Sequence, residues 1–200
     1  MDQKFDITID AETDWGGRSE SFRESEKGLD IILKRLFHFK VKALIFFSTE
    51  VLEDFTSSRT RMTTLFERAV KDGHAIGSHG HFHHKYSNNQ RLVEDRRLSN
   101  SILEGYGFSD VPYRAPKFDK RTWGWCEPYS NPSNHVSLLK MLWLRQKLND
   151  NTIFYIHPFD VVGGINPPNL FCRLWYSKPR KALLLLEDVL SKYKGVHRLP

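Results

Sequence analysis

The sequence predicts an α/β protein built around a mostly parallel sheet. Two observations carry this expectation: short apolar runs alternate with amphipathic helical segments, and no Gly-x-Gly-x-x-Gly follows the first run, which sets a dinucleotide-binding unit aside. Phe5 to Ile9 alternates at period two and reads as a strand. Gly28 to Phe39 places Leu29, Ile32, Leu33, Leu36 and Phe37 at helical spacing. Lys42 to Phe47 is a short continuous apolar run, as a strand buried on both faces requires. Thr60 to Lys71 repeats the helical period through Met62, Leu65, Phe66 and Ala69 and stops at Asp72-Gly73. His74 to Gly77 reads as the next strand, Gln90 to Glu104 as a helix ending at Gly105-Tyr106-Gly107, and Val111 to Arg114 as a fourth short strand. Lys117 to Asn134, rich in Trp, Pro and Asn, reads as a long loop over a site. Val136 to Leu148 is then helical, Thr152 to Ile156 a strand and Pro179 to Lys192 a helix opened by proline, and Val196 to Leu199 closes the chain.

The bulk properties bound what such a protein does. Two hundred residues suit one domain, 1–200, and a hydrophobic share of 40% with a charged share of 27% is that of a packed globular chain. No apolar run reaches the roughly 18 residues of a membrane span. The N-terminus passes from Met1-Asp2-Gln3-Lys4 straight into the first strand without an apolar h-region, so cytoplasmic residence is the expectation. Cys126 and Cys172 form no close-spaced metal motif and read as ordinary thiols. The net charge of +6 is spread along the chain, which argues against nucleic acid as a partner.

The chemistry concentrates at strand ends. Asp10-Ala11-Glu12 follows the first strand, Ser78-His79-Gly80-His81-Phe82-His83-His84 the third, Arg114 ends the fourth, and His157 follows the strand that ends at Ile156. In parallel α/β folds ligands and catalytic groups gather at that edge. His79 and His83 are four apart, so one helical turn would aim both rings at one point. Two imidazoles with one carboxylate suit a catalytic divalent metal with an open position, where a water reaches a pKa of about 7. A second carboxylate can take its proton, a separate His can supply one to the leaving group, and Arg114 can orient the base. No Glu follows His79, so the His-Glu-x-x-His protease pattern is absent.

These motifs resemble those of the polysaccharide deacetylases (the NodB-homology group, carbohydrate esterase family 4). Thr8-Ile9-Asp10-Ala11-Glu12 resembles the family's Thr-Phe-Asp-Asp-Gly, and Ser78-His79-Gly80-His81-Phe82-His83 its Ser-His-(Thr/Ser/Gly)-x-x-His. Tyr113-Arg114-Ala115-Pro116 is similar to its Arg-x-Pro, and Tyr155-Ile156-His157-Pro158 to the strand ending in His-Pro of one branch. The resemblance covers essentially the whole chain, in order. It implies a distorted (β/α) barrel, seven-stranded or shortened. It also implies Asp10 as the base, Arg114 as its holder and His157 as the acid. Glu12, His79 and His83 would be the ligands of a divalent metal, zinc first, with cobalt, nickel or manganese as further options. The family's metal-binding Asp usually adjoins the base, whereas here position 11 is Ala; Glu12 takes the role, with Asp14 as the fallback. The usual Asp- and Trp-bearing motif between Arg114 and His157 is not recognisable.

Beside the ligand pair, His81 and His84 read as polar loop residues. Trp15, Trp123 and Trp125 read as sugar-facing aromatics, core packing being the alternative for Trp15. The expected activity is removal of an N-acetyl group from an N-acetylated sugar or glycan precursor, a lipid-linked one included. The alternatives are allantoinase-like hydrolysis of another C–N bond and a non-catalytic glycan-binding domain.

Overall fold

A computed structural model of the chain describes residues 7–14, 21–53, 57–82, 89–114, 129–130, 153–162 and 179–193. Strands β1 (Ile7–Ala11), β2 (Leu44–Phe47), β3 (Ala75–Ser78), β4 (Tyr129–Ser130) and β5 (Ile153–Ile156) form one sheet in the order β3-β2-β1-β5-β4. Every pairing is parallel. Among the described residues the helices are α1 (Arg23–Phe39), α2 (Glu50–Glu53), α3 (Ser57–Lys71), α4 (Asn89–Gly105), α5 (Pro158–Val162) and α6 (Pro179–Tyr193). None is long and apolar enough to cross a membrane. The predicted helix Val136 to Leu148, the closing Val196 to Leu199, and His83, Trp15, Trp123 and Trp125 lie outside the described residues.

The core lies on the helix-covered face. Ile7, Ile9 and Ala11 of β1 join Ile45, Phe47, Phe154 and Ile156 under Leu29, Ile32, Leu33 and Leu36 of α1 and Leu185, Leu186, Val189 and Leu190 of α6. Helix α1 also packs on α5 and α3. Its crossing over α5 depends on Gly28: a Cβ there would overlap the carbonyl oxygen of Pro158. Gly77 is similarly enclosed, with a Cβ falling 2.6 Å from the Phe46 ring.

Besides the short helices α2 and α5, which the sequence reading does not contain, three stretches differ from it. Helix α1 begins at Arg23 rather than Gly28, because its first turn is polar yet buried and carries no apolar period. Tyr129–Ser130, inside the stretch read as loop, is a strand on β5, too short to leave a periodic trace. Val111 to Arg114 makes a single parallel bridge, Tyr113 to Ser78, rather than a strand. The backbone there is still pinned to the edge of β3, with Ser78 N–H donating to the Pro112 carbonyl at 2.8 Å and Arg114 N–H to that of Ser78 at 2.9 Å.

Candidate active site

Strand alternation decides which side chains reach the site. Since Ile7, Ile9 and Ala11 take the core face of β1, Thr8 and Asp10 emerge on the other. In β5, Phe154 and Ile156 go to the core, and Tyr155 with the following His157 share the face of Asp10. The pairing of Ile9 with Ile156 sets Asp10 and His157 level at the carboxyl ends of adjacent strands. The sequence-adjacent strands β1, β2 and β3 lie on one side of that junction and the late strand β5 on the other. Such a switch in strand order opens a crevice for ligands.

Arg114 reaches this junction from the far edge of the sheet. Its Nη1 donates to Asp10 Oδ1 at 2.6 Å and its Nη2 to Thr8 Oγ1 at 3.0 Å. The guanidinium lies over the Phe46 ring, 4.3 Å from its centroid, and also faces Tyr155, so aromatic π-faces help hold a planar cation in place. His79 Nδ1 donates to the Arg114 carbonyl oxygen at 2.8 Å, which directs Nε2 inward. That nitrogen is 2.9 Å from Glu12 Oε2 and 3.9 Å from Asp10 Oδ2. Glu12 Oε1 in turn lies 3.5 Å from His157 Nε2. The Glu12 carboxylate, only 1% exposed, therefore stands between two imidazoles.

Asp14, also 1% exposed, is engaged elsewhere. Its Oδ1 accepts the backbone N–H of Ser25 at 2.7 Å and its Oδ2 that of Glu24 at 3.1 Å, which caps the start of α1. Phe22 at the N-cap position makes no side-chain cap of its own. His81 is buried beside Thr49, Nδ1 to Oγ1 3.2 Å, with its ring edge-on to Phe82. Asp95 of α4 fixes this turn by accepting the backbone N–H groups of His81 and Phe82, each at 2.9 Å.

The electrostatics follow from burial among carboxylates. Burial alone would lower the pKa of His79, but Asp10 and Glu12 outweigh it and hold the imidazole above its ordinary value. For His157 burial acts the same way; Glu12 and Asp160 overcome it and raise the group to about 9. Tyr155 keeps its proton well above the usual phenol range, through burial first and then the Asp10 and Glu12 charges. Tyr155, Thr8 and Asp160 are absent from the sequence-derived set. Thr8 and Tyr155 carry a readable signal, each standing two residues before a candidate on its own strand.

The sequence matches no protein-family model and no curated protein sequence. Solved structures are another matter. The chain is similar to a family 4 acetyl xylan esterase from Clostridium thermocellum, solved with a cobalt ion, at a TM-score of 0.57 and 17% identity over 94% of this chain and 83% of that one. It is equally similar to the peptidoglycan deacetylase PdaC from Bacillus subtilis, with TM-score 0.57 and 13% identity over 98% and 87%. A family 4 carbohydrate esterase from Streptomyces lividans, in complex with acetate, follows at 0.53 and 13% over 95% and 87%. The chain has the fold of the family 4 carbohydrate esterases.

On this family 4 fold the donor set can be tested for a divalent metal. His79 presents Nε2 because a backbone carbonyl occupies Nδ1, the arrangement that fixes the tautomer of metal-binding histidines. A tetrahedral zinc with ligands at 2.0–2.2 Å would set an imidazole nitrogen and a carboxylate oxygen roughly 3.4 Å apart. Nε2 and Oε2 stand at 2.9 Å, so a shift of about half an ångström admits the ion. Glu12 and His79 fit as two ligands. Among the described residues no group of three or more His, Cys, Asp or Glu side chains forms a metal cage, and His83, the third ligand expected from the sequence, lies outside them.

Proposed function

We propose that the protein is a divalent-metal-dependent N-deacetylase of an N-acetylated sugar or glycan precursor, with a lipid-linked precursor among its candidate substrates. One observation carries this reading: Asp10, Glu12, His79, Arg114 and His157, drawn from four separate stretches of chain, meet at the carboxyl end of the sheet within hydrogen-bonding or ion-pair distance of one another. The solved neighbours support the substrate class, since those named above are an acetyl xylan esterase, a peptidoglycan deacetylase and a carbohydrate esterase holding acetate.

The roles follow from position. Glu12 and His79 would hold the metal, with His83 as the third ligand. When bound, a divalent ion supplies a Lewis acid that polarises the acyl oxygen and makes water more acidic. Arg114 fixes Oδ1 of Asp10 and turns Oδ2 toward His79, where it can take a proton from the attacking water. His157 presents Nε2 on the opposite side of Glu12 and gives a proton to the leaving amine nitrogen as the C–N bond breaks. An amine leaving group needs that proton more than an alkoxide does, which favours an amide over an ester as the bond cut.

The test is acetate release from N-acetylglucosamine oligomers and from O-acetylated xylan, by protein loaded with zinc or cobalt. Release from the N-acetyl substrate is expected, falling about 10²–10⁴-fold in Asp10→Asn and His157→Gln. Release from the O-acetyl substrate alone would reassign the enzyme as an esterase. Sugar binding without hydrolysis of either would overturn catalysis and leave a glycan-binding domain.

A further inference from the structure

The net charge of +6 is scattered along the sequence, but the topology gathers part of it at one end of the molecule. In a parallel sheet each crossover helix carries the chain from the carboxyl end of one strand back to the amino end of the next. Helix α1 ends at Phe39 and leads into β2, and α3 ends at Lys71 and leads into β3. Both therefore finish at the edge of the sheet opposite Asp10 and His157. The two helices are tied side by side through Asp30 of α1, whose Oδ1 meets Arg68 Nη1 at 3.0 Å and whose Oδ2 lies 3.9 Å from Arg61 Nη2. Two turns beyond Asp30, on the same flank, α1 presents Phe37. Phe37 is 69% exposed, more than any other large hydrophobic residue among those described.

Cations surround this ring. Lys34 precedes it by one turn and pairs with Asp30 at 2.7 Å, and Lys40 follows it in the left-handed cap of α1, at φ 56°. Lys71 closes α3, where Arg68 pairs with Asp72 at 3.4 Å and Lys42 Nζ donates to the Asp72 carbonyl. Lys40 and Lys71 are exposed and, among the described residues, have no carboxylate partner. With Arg61, six cations stand here against three carboxylates, Asp30, Glu67 and Asp72.

We propose that this end of the molecule is a docking surface for an anionic lipid bilayer, with Phe37 entering the headgroup boundary and the lysines lying on the acidic headgroups. Two points favour a bilayer over nucleic acid as the anionic partner. A single ring offers no platform for successive bases, which single-strand binding requires. Lysine stems, by contrast, bury against an apolar boundary while their ammonium groups reach the phosphates above it. Each cation contributes little, so the binding is reversible and sensitive to salt. Docking by this end turns Asp10 and His157 away from the bilayer.

Co-sedimentation of the full chain with vesicles tests the proposal. Binding to phosphatidylcholine vesicles that contain phosphatidylglycerol is expected, weakening as salt is raised, with none to phosphatidylcholine alone. Phe37→Ser removes the ring and should weaken partitioning roughly tenfold. Lys40→Asn with Lys71→Gln removes two charges, and Asn suits the left-handed cap. Each lysine lost should cost about fivefold in partitioning. Leu184→Ser is the control. Leu184 is 56% exposed but belongs to α6, on the flank of α1 where Arg35 pairs with Glu187, and the variant should bind as the wild type does. Equal binding to both kinds of vesicle would overturn the proposal, as would undiminished binding in both Phe37→Ser and the double lysine variant. Retention of a single-stranded oligonucleotide by a chain that leaves the acidic vesicles unbound would overturn it too.

Discussion

His74, just before β3, illustrates how one side chain can carry a pH dependence. The residue is 6% exposed, and its Nδ1 accepts the Ala43 N–H at 3.2 Å, which only the neutral imidazole with its proton on Nε2 can do. Burial, reinforced by Lys42, pushes its pKa down to about 4. The unfolded chain therefore takes up a proton below about pH 6.5 that the fold refuses until pH 4, and stability falls across that window. Urea unfolding should show a loss of about 2 kcal/mol between pH 7 and pH 5 from this group. His74→Asn, which keeps an acceptor near Nδ1 but does not titrate, should flatten that slope. At this same scale much of the candidate site is legible in the sequence. Asp10, His79, Arg114 and His157 each follow an apolar run, and the ends of parallel strands are where such residues meet. The choice between Glu12 and Asp14 is not legible, because both are buried acidic residues two positions apart. What separates them is the start of α1, which folds back onto Asp14 and takes both of its oxygens.

At the scale of elements, the contact of α1 with α5 is the sharpest fit described. Gly28→Ala drives a methyl group into the Pro158 carbonyl, so α1 must lift or α5 must move. The gain in helix propensity, about 1 kcal/mol, works against an overpacking cost of about 1–3 kcal/mol. Net destabilisation in denaturant melts is expected, and because Pro158 follows His157 directly, kcat should fall as well. Gly105→Ala is the control: nothing stands within 4 Å of its Cβ, and it should be neutral or slightly stabilising. The elements were read from periodicity where they were long. Helix α3 through Met62, Leu65, Phe66 and Ala69 emerges close to its expected bounds. Elements of two to five residues, β4, α2 and α5, fall below the length at which a period can be seen.

For the molecule as a whole, the candidate site belongs to no single segment, so ligand binding there should be felt as global stability. A divalent ion at a hundred times its Kd adds about 2.7 kcal/mol to the folded state. For a chain of this size that is a rise in Tm of roughly 5–10 °C. Differential scanning fluorimetry with zinc or cobalt should show it, and His79→Ala should abolish it. An equal rise in His79→Ala would place the ion elsewhere. The order β3-β2-β1-β5-β4 also has a bearing on how the chain acquires this site as it is made. Among the described strands β1 comes before the other four in the chain, yet the partner of one of its two edges is β5, at residues 153–156. Until β5 is made the nascent protein displays an apolar strand with unpaired N–H and C=O groups, open to pairing with the wrong neighbour. The arrival of β5 covers that edge and delivers His157 beside Asp10 in the same event. A truncation that ends before β5 should therefore aggregate rather than fold into a smaller, inactive domain.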